Sequence, residues 1–218
     1  MTCIHQFQFN PFGENCYVLY DEATRDAFVV DPGMMIEAER IEMAEWLAAE
    51  QLTPRRVLLT HCHIDHVADA RRFADLWHIP VCASADDRPL AMSLNAQAER
   101  FGFNRRYFNF EALEFDEILS DNQTLTLGDA ELKVIATPGH SPGGLSFYIP
   151  SINTVLTGDT LFEGSVGRVD LPGGDMDILL DSICKRLLVL PPATRVLSGH
   201  GYATTIGDEA ASNPYIIY

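Results

Sequence analysis

The sequence predicts an α/β protein in which two mixed β-sheets pack together with helices outside. Three observations carry this. Eight short apolar runs of strand length punctuate the 218 residues. Longer stretches with helical patterning fall between them. Strands and helices alternate in the first half, whereas the second half is strand-rich with one clear helix before its last strand.

In order, strands are expected at 16–20, 27–30, 56–59, 80–83, 132–136, 145–149, 154–156 and 195–197. DEATRD, joining the first two, reads as a hairpin turn. MIEAERIEMAEWLAAEQ sets Ile36, Ile41, Ala44, Trp46 and Leu47 among charges and reads as an amphipathic helix. A second helix should begin near Asp65 and run to about Trp77. A third covers roughly 86–101 and a fourth 176–188, with Asp175 as N-cap behind a Pro-Gly-Gly. The segment 88–119 interrupts the strands and holds five phenylalanines and a tyrosine. It reads either as helix and loop packed on the core or as a lid or pocket wall. The whole of 1–218 is taken as one domain.

Apolar residues make up 47% and charged ones 21%, an ordinary globular balance. The formal net charge is −16, and Lys133 and Lys185 are the only lysines. Polyphosphate binding rests on Lys and Arg, so this surface opposes nucleic acid and anionic membrane and favours a small-molecule substrate. Five scattered cysteines, an odd number with no CxxC, argue against a disulfide framework. No apolar run approaches membrane-spanning length, and the N-terminus lacks signal-peptide character. A cytoplasmic, reducing setting is expected. The sequence leaves oligomeric state open.

The chemistry-bearing residues cluster at strand ends. His61, His63, Asp65 and His66 follow RVLLT; His140 lies in TPGHSPGG, Asp159 in GDTLF and His200 in SGHG. Five of the seven histidines thus sit in loops directly after strand-like runs, which converge on one edge of a sheet sandwich. His5 and His78 do not, and read as structural or surface residues. Imidazole nitrogen and carboxylate oxygen are ligands that zinc, manganese and iron accept. Seven are too many for one tetrahedral ion; they suit two ions sharing a carboxylate and a water. Cys62, between two of the histidines on an extended backbone, should point away from both and serve packing.

THCHIDH, TPGHSPGG, GDTLF and SGHG together resemble the metallo-β-lactamase superfamily of metallohydrolases, from about Asn15 to Tyr202. LFEGSVGRVDLPGGD is most similar to the small, single-domain glyoxalase II-like hydrolases. The resemblance implies an αββα sandwich with a binuclear site at one edge. It also implies a metal-bridging hydroxide acting on a small thioester, ester or lactone, hydroxyacylglutathione among them. Carried over residue by residue, His61, His63 and His140 would hold one divalent ion, Asp65, His66 and His200 the second, and Asp159 would bridge them. Zinc is the first expectation, with iron or manganese as alternatives. Asp65 would serve as the catalytic proton acceptor or as a metal ligand alone. Arg168 would anchor a substrate carboxylate or close the loop by an ion pair with Asp170, and Tyr202 would contact substrate or pack.

Some positions depart from the family pattern. Asp170 stands where an aromatic is usual, Ala68-Asp69 replaces a double glycine, and Gly144 replaces a common histidine. Only 18 residues of the 218 follow His200, so the helical domain with which glyoxalase II binds glutathione is expected to be absent. The same motifs resemble mononuclear iron persulfide dioxygenases, which is the alternative reading. A metal-bound scaffold without activity is the third.

Overall fold

The structure is a computed structural model that describes residues 1–104, 106 and 108–216. Residues 105, 107, 217 and 218, including the tyrosine of the aromatic segment, lie outside the described residues. The first six strands, β1 (Thr2–Phe9), β2 (Glu14–Asp21), β3 (Asp26–Val30), β4 (Thr53–Leu58), β5 (Val81–Ala83) and β6 (Glu117–Ile118), form one sheet in that order. Its β1–β2–β3 part is antiparallel and its β3–β4–β5–β6 part parallel. The second sheet contains β7 (Thr124–Leu127), β8 (Ala130–Ala136), β9 (Leu145–Ile149), β10 (Thr154–Gly158), β13 (Arg195–Ser198) and β14 (Thr204–Thr205). Its order is β14-β13-β10-β9-β8-β7, with β10 and β13 parallel. Between β10 and β13 the chain makes a small ribbon of β11 (Leu161–Phe162) and β12 (Ser165–Val166).

The period-2 alternation of strands sets the layers. On β2, Tyr17 and Leu19 point between the sheets, where with Phe28 and Leu58 of their own sheet they meet Phe147, Leu156 and Leu197 of the second. Cys16 and Val18 face the other way, into a core shared with α1 (Glu37–Ala49), α3 (Ala70–Trp77) and α5 (Leu94–Arg100). On the far face of the second sheet, Val155 and Val196 pack against α6 (Met176–Ser182) and α7 (Ile206–Ser212) through Leu179, Ile183 and Ile206. The result is the expected αββα sandwich. Among the described residues no helix is long and apolar enough to cross a membrane.

The hairpin turn after β2 is held by Asp21, whose Oδ1 accepts the amides of Ala23 and Thr24 at 3.0 and 2.8 Å. Asp175 caps α6 by accepting from the Ile178 amide at 3.0 Å, as expected. Strands β1, β6, β7, β11, β12 and β14 and helix α7 lie outside the expected elements, and the second, third and fourth helices differ in form. The strand β1 was not anticipated because polar residues alternate along it. It pairs with β2 along its whole length, Thr2 opposite Asp21 to Phe9 opposite Glu14, and buries Phe7 and Phe9.

The second helix is broken into α2 (Ile64–Val67) and α3. At the break the Asp69 amide bonds to the Pro32 carbonyl and its carboxylate to Arg40. The third is broken into a 3₁₀ turn (Ala85–Asp87), α4 (Arg88–Ala91) and α5, and the Ala91 carbonyl is taken by the Leu113 amide. The fourth continues past Ser182 as a wide π turn, Ile183–Leu187. Helix α1 is amphipathic, but through Met43 and Leu47; Ile36 and Ile41 face solvent. Each buried side chain there contributes about 1.5–3 kcal/mol.

The two histidines read as structural behave so. His5 stacks on Trp46 with ring centroids 4.1 Å apart, and His78 ends α3 in the left-handed conformation.

Candidate metal centre

The parallel pairs β3–β4 and β10–β13 end on the same edge of the sandwich. The chain leaving β4 carries Thr60, His61 and His63, and α2 carries Asp65 and His66. The β8–β9 connection supplies His140, the exit of β10 supplies Asp159, and the exit of β13 supplies His200. The two sheets are stitched here by cross-sheet bonds. The Tyr17 hydroxyl donates to the Ser198 carbonyl at 2.7 Å, and the Leu145 amide to the Thr60 carbonyl at 2.7 Å. Gly199 lets β13 pass the cluster closely: a Cβ there would lie 2.3 Å from Asp159 Oδ1 and 2.6 Å from His66 Cε1.

All seven strand-end residues meet in this one place, in two groups. His61, His63 and His140 form the first, and Asp65, His66 and His200 the second. His140 Nε2 lies 2.8 Å from His63 Nδ1 and 3.2 Å from His61 Nε2. His200 Nε2 lies 3.3 Å from His66 Nε2 and 3.2 Å from Asp65 Oδ2. Asp159 stands between the groups: its Oδ2 is 3.6 Å from His140 Nε2 and 3.6 Å from His200 Nε2.

The partners on the far ring nitrogens assign the tautomers. His140 Nδ1 donates to the Arg168 carbonyl at 2.7 Å. His66 Nδ1 faces Asp31 Oδ2 at 3.0 Å. The Thr60 hydroxyl gives its proton to Asp31 Oδ2 at 2.5 Å, so it accepts from His61 Nδ1 at 3.1 Å. His61 and His140 therefore turn Nε2 lone pairs towards each other at 3.2 Å, and His63 Nε2 is buried without a hydrogen-bond partner. That is the donor arrangement a cation requires, and Asp159 Oδ1, buried without a hydrogen-bond partner, adds an anionic one.

The charges agree. Burial, then the neighbouring imidazoles, holds His61 well below its ordinary value, and burial and His140 push His63 down to about 3. Both rings are neutral. Burial opposes ionisation of Asp65 and Asp159, but the nearby His66 and His200 overcome it, and both carboxyls lie below their usual range. His66, facing those two carboxylates, is raised well above its usual value despite burial. The cluster thus presents the neutral nitrogens of His61 and His63 and the anionic oxygens of Asp65 and Asp159, whose charge draws a proton onto His66; a divalent metal would take that proton's place, so the residues fit one.

The supporting residues Asp31, Thr60 and Asp87 were missed in the sequence reading. Asp31 carried the signal that found Asp159, an aspartate ending an apolar run. Asp87 carried none. It is buried and accepts from the Cys62 amide, the Ser141 hydroxyl and the Gly143 amide at 2.8, 2.9 and 2.6 Å. It thereby ties the loop of His61 and His63 to the loop of His140.

Cys62 points away from the cluster into the apolar core under the helices, and burial raises its thiol well above the ordinary value. Cys62→Ser should therefore keep its metal content and turnover while losing about 1–3 kcal/mol of stability, because the new hydroxyl has no partner. Denaturant unfolding and elemental analysis of one preparation check both halves.

Arg168 and Tyr202 lie at the rim. The Arg168 guanidinium makes two bonds to Asp170, 2.6 and 2.7 Å, and these hold the Asp170 carboxyl down at about 2. Tyr202 is 81% exposed. The segment 88–119 contributes α4 and α5 to the wall of a cavity of about 450 Å³ that opens beside His63.

Against known proteins, the family model described as the metallo-beta-lactamase superfamily matches residues 9–200. The hydroxyacylglutathione hydrolase GloC of Haemophilus influenzae is 36% identical over 208 residues, covering 94% of this chain and 93% of that one. Among solved structures, the BLEG-1 B3 metallo-beta-lactamase superposes with a TM-score of 0.87 at 38% identity, covering 99% of this chain and 100% of that one. TTHA1623, solved in a di-iron-bound form, gives 0.83 at 36% identity, with 97% and 99% covered.

Proposed function

The chain belongs to the metallo-β-lactamase superfamily, and from that premise we propose that it is a metal-dependent hydrolase of small thioesters, esters or lactones, hydroxyacyl thioesters included. One observation carries the reading: His61 and His140, their tautomers set by Thr60 and the Arg168 carbonyl, aim bare nitrogens at each other beside the buried carboxylate of Asp159. His61, His63 and His140 would hold one ion, Asp65, His66 and His200 a second, and Asp159 both. Zinc is the first candidate, and iron and manganese suit the same donors. A divalent metal bound there would polarise a carbonyl and acidify water.

The chain's own groups supply the rest. Asp65, ionised and 14% exposed, is positioned to take a proton from water while its Oδ2 faces His200. In hydrolysis the water oxygen bonds to the acyl carbon, the carbon–sulfur or carbon–oxygen bond breaks, and the leaving thiolate or alkoxide takes up a proton. Among the described residues no separate strong general acid stands beside the cluster for an amine leaving group, which favours thioesters, esters and lactones over amides. Tyr202 and Arg168 would contact the substrate at the rim. The net charge of −16 opposes polyanionic substrates.

The test is a screen of metal-replete protein against S-lactoylglutathione, simple thioesters, lactones and a β-lactam, with metal counted on the same sample. Turnover of one of the acyl classes with two ions per chain is the expected result. Inertness to all of them at full metal content overturns the reading. Oxygen uptake with glutathione persulfide at one iron per chain would replace it with the dioxygenase.

A further inference from the structure

We infer that the cavity beside His63 is a subsite for an apolar acyl chain, so that the preferred substrates carry medium-length hydrocarbon acyl groups rather than short polar ones. The inference rests on the hydrolase reading for its chemistry and on the cavity for its specificity. At about 450 Å³ the cavity falls within the range of small-molecule sites. It shares His63 with the polar cluster and then runs between Leu90, Ala96 and Phe101 on one side and Pro142, Leu171 and Pro172 on the other.

Two polar side chains of this wall, Gln97 and Ser93, are already engaged, and the charged Asp86 and Arg100 are exposed. Gln97 accepts from the Ile64 amide at 3.0 Å and donates to the Cys62 and Leu90 carbonyls at 3.2 and 2.9 Å. Ser93 donates its hydroxyl proton to the Leu90 carbonyl at 3.0 Å. A hydroxyacyl group placed here would lose water and find few replacements, whereas a hydrocarbon chain would gain by leaving water. Arg100 is exposed where the cavity meets solvent.

The acyl side, not the leaving group, belongs in this cavity. The other end of the cluster is open: the His200 side chain is 25% exposed, and Tyr202 beyond it is in solvent. A departing thiolate must be protonated and hydrated, which the polar, exposed end at His200 favours over the apolar cavity.

The experiment varies the two halves of the substrate separately. With metal-replete protein, N-acetylcysteamine thioesters from acetyl to octanoyl should show kcat/KM rising about threefold per methylene, as far as hexanoyl. Lengthening the thiol at constant acyl group should change it little. Ala96→Trp, which fills the cavity from an exposed helical position, should lower the hexanoyl-to-acetyl ratio by about tenfold or more. Selectivity that falls with acyl length, or that follows the thiol instead, overturns the assignment and leaves the hydrolase reading standing. Inertness of every ester at full metal content fails the hydrolase reading instead. Calorimetric titration of the metal-free protein with the same thioesters then decides the cavity: affinity rising with acyl length supports it, and affinity independent of length overturns it.

Discussion

Asp159→Asn is expected to fold, to purify with less metal than the parent and to lose turnover by more than the ~10–100-fold that removal of an outer partner of a metal ligand costs. The substitution keeps the shape and removes the charge. In the parent, Asp159 Oδ2 is equidistant from His140 of one group and His200 of the other, and Oδ1 lies 3.4 Å from His66 Nε2. The ionised form of Asp159 is favoured strongly enough by the surrounding histidines to outweigh burial.

An asparagine amide would turn two N–H donors towards nitrogens that hold lone pairs, satisfying them internally and competing with a cation. The fold should survive, because the β10 exit is held by backbone bonds such as Gly199 to Gly158 at 2.9 Å. Elemental analysis and a thermal scan on the same sample separate the two effects. Unchanged metal content and unchanged turnover would remove Asp159 from the centre.

Much of this centre was legible in the sequence because its residues travel in short strings. Strand ends are marked by apolar runs followed by Gly or Thr, and the histidines of 61–66 sit within one such string. The β10 and β13 exits repeat the pattern at Asp159 and His200. What was illegible depends on partners far away in the chain. The break between α2 and α3 exists because Pro32 and Arg40 claim Asp69. The break before α5 exists because Leu113 claims the Ala91 carbonyl.

The strand β1 has a polar half-face and needed β2 beside it to be seen. The cavity wall is still harder to read. It joins His63, the α4–α5 region, Pro142 and 171–173, which no local pattern connects. The cavity therefore lay beyond the sequence reading, whereas the seven clustered residues did not.

Asp31→Asn should produce the second large effect, a fall of about 10–100-fold in metal affinity with the fold retained. The reason is a count of acceptors. Asp31 Oδ1 accepts the Thr60 amide at 2.7 Å, while Oδ2 accepts the Thr60 hydroxyl at 2.5 Å and faces His66 Nδ1 at 3.0 Å. Three donors need both oxygens, and Asn has one. If its oxygen serves the Thr60 amide, the NH₂ group meets both the hydroxyl and the ring. The Thr60 proton must then turn away, and His66 loses the acceptor that fixes its Nδ1 proton. His61 is affected through the same hydroxyl, since Thr60 accepts from His61 Nδ1 only while it donates to Asp31. One substitution therefore loosens a nitrogen in each of the two groups. Competition with a metal-binding dye should show both sites weakened, and ¹⁵N spectra of the histidine rings should show the tautomers of His61 and His66 becoming mixed while His140, held by the Arg168 carbonyl, keeps its own. If His66 alone changes, the coupling through Thr60 is refuted and Asp31 serves one group only.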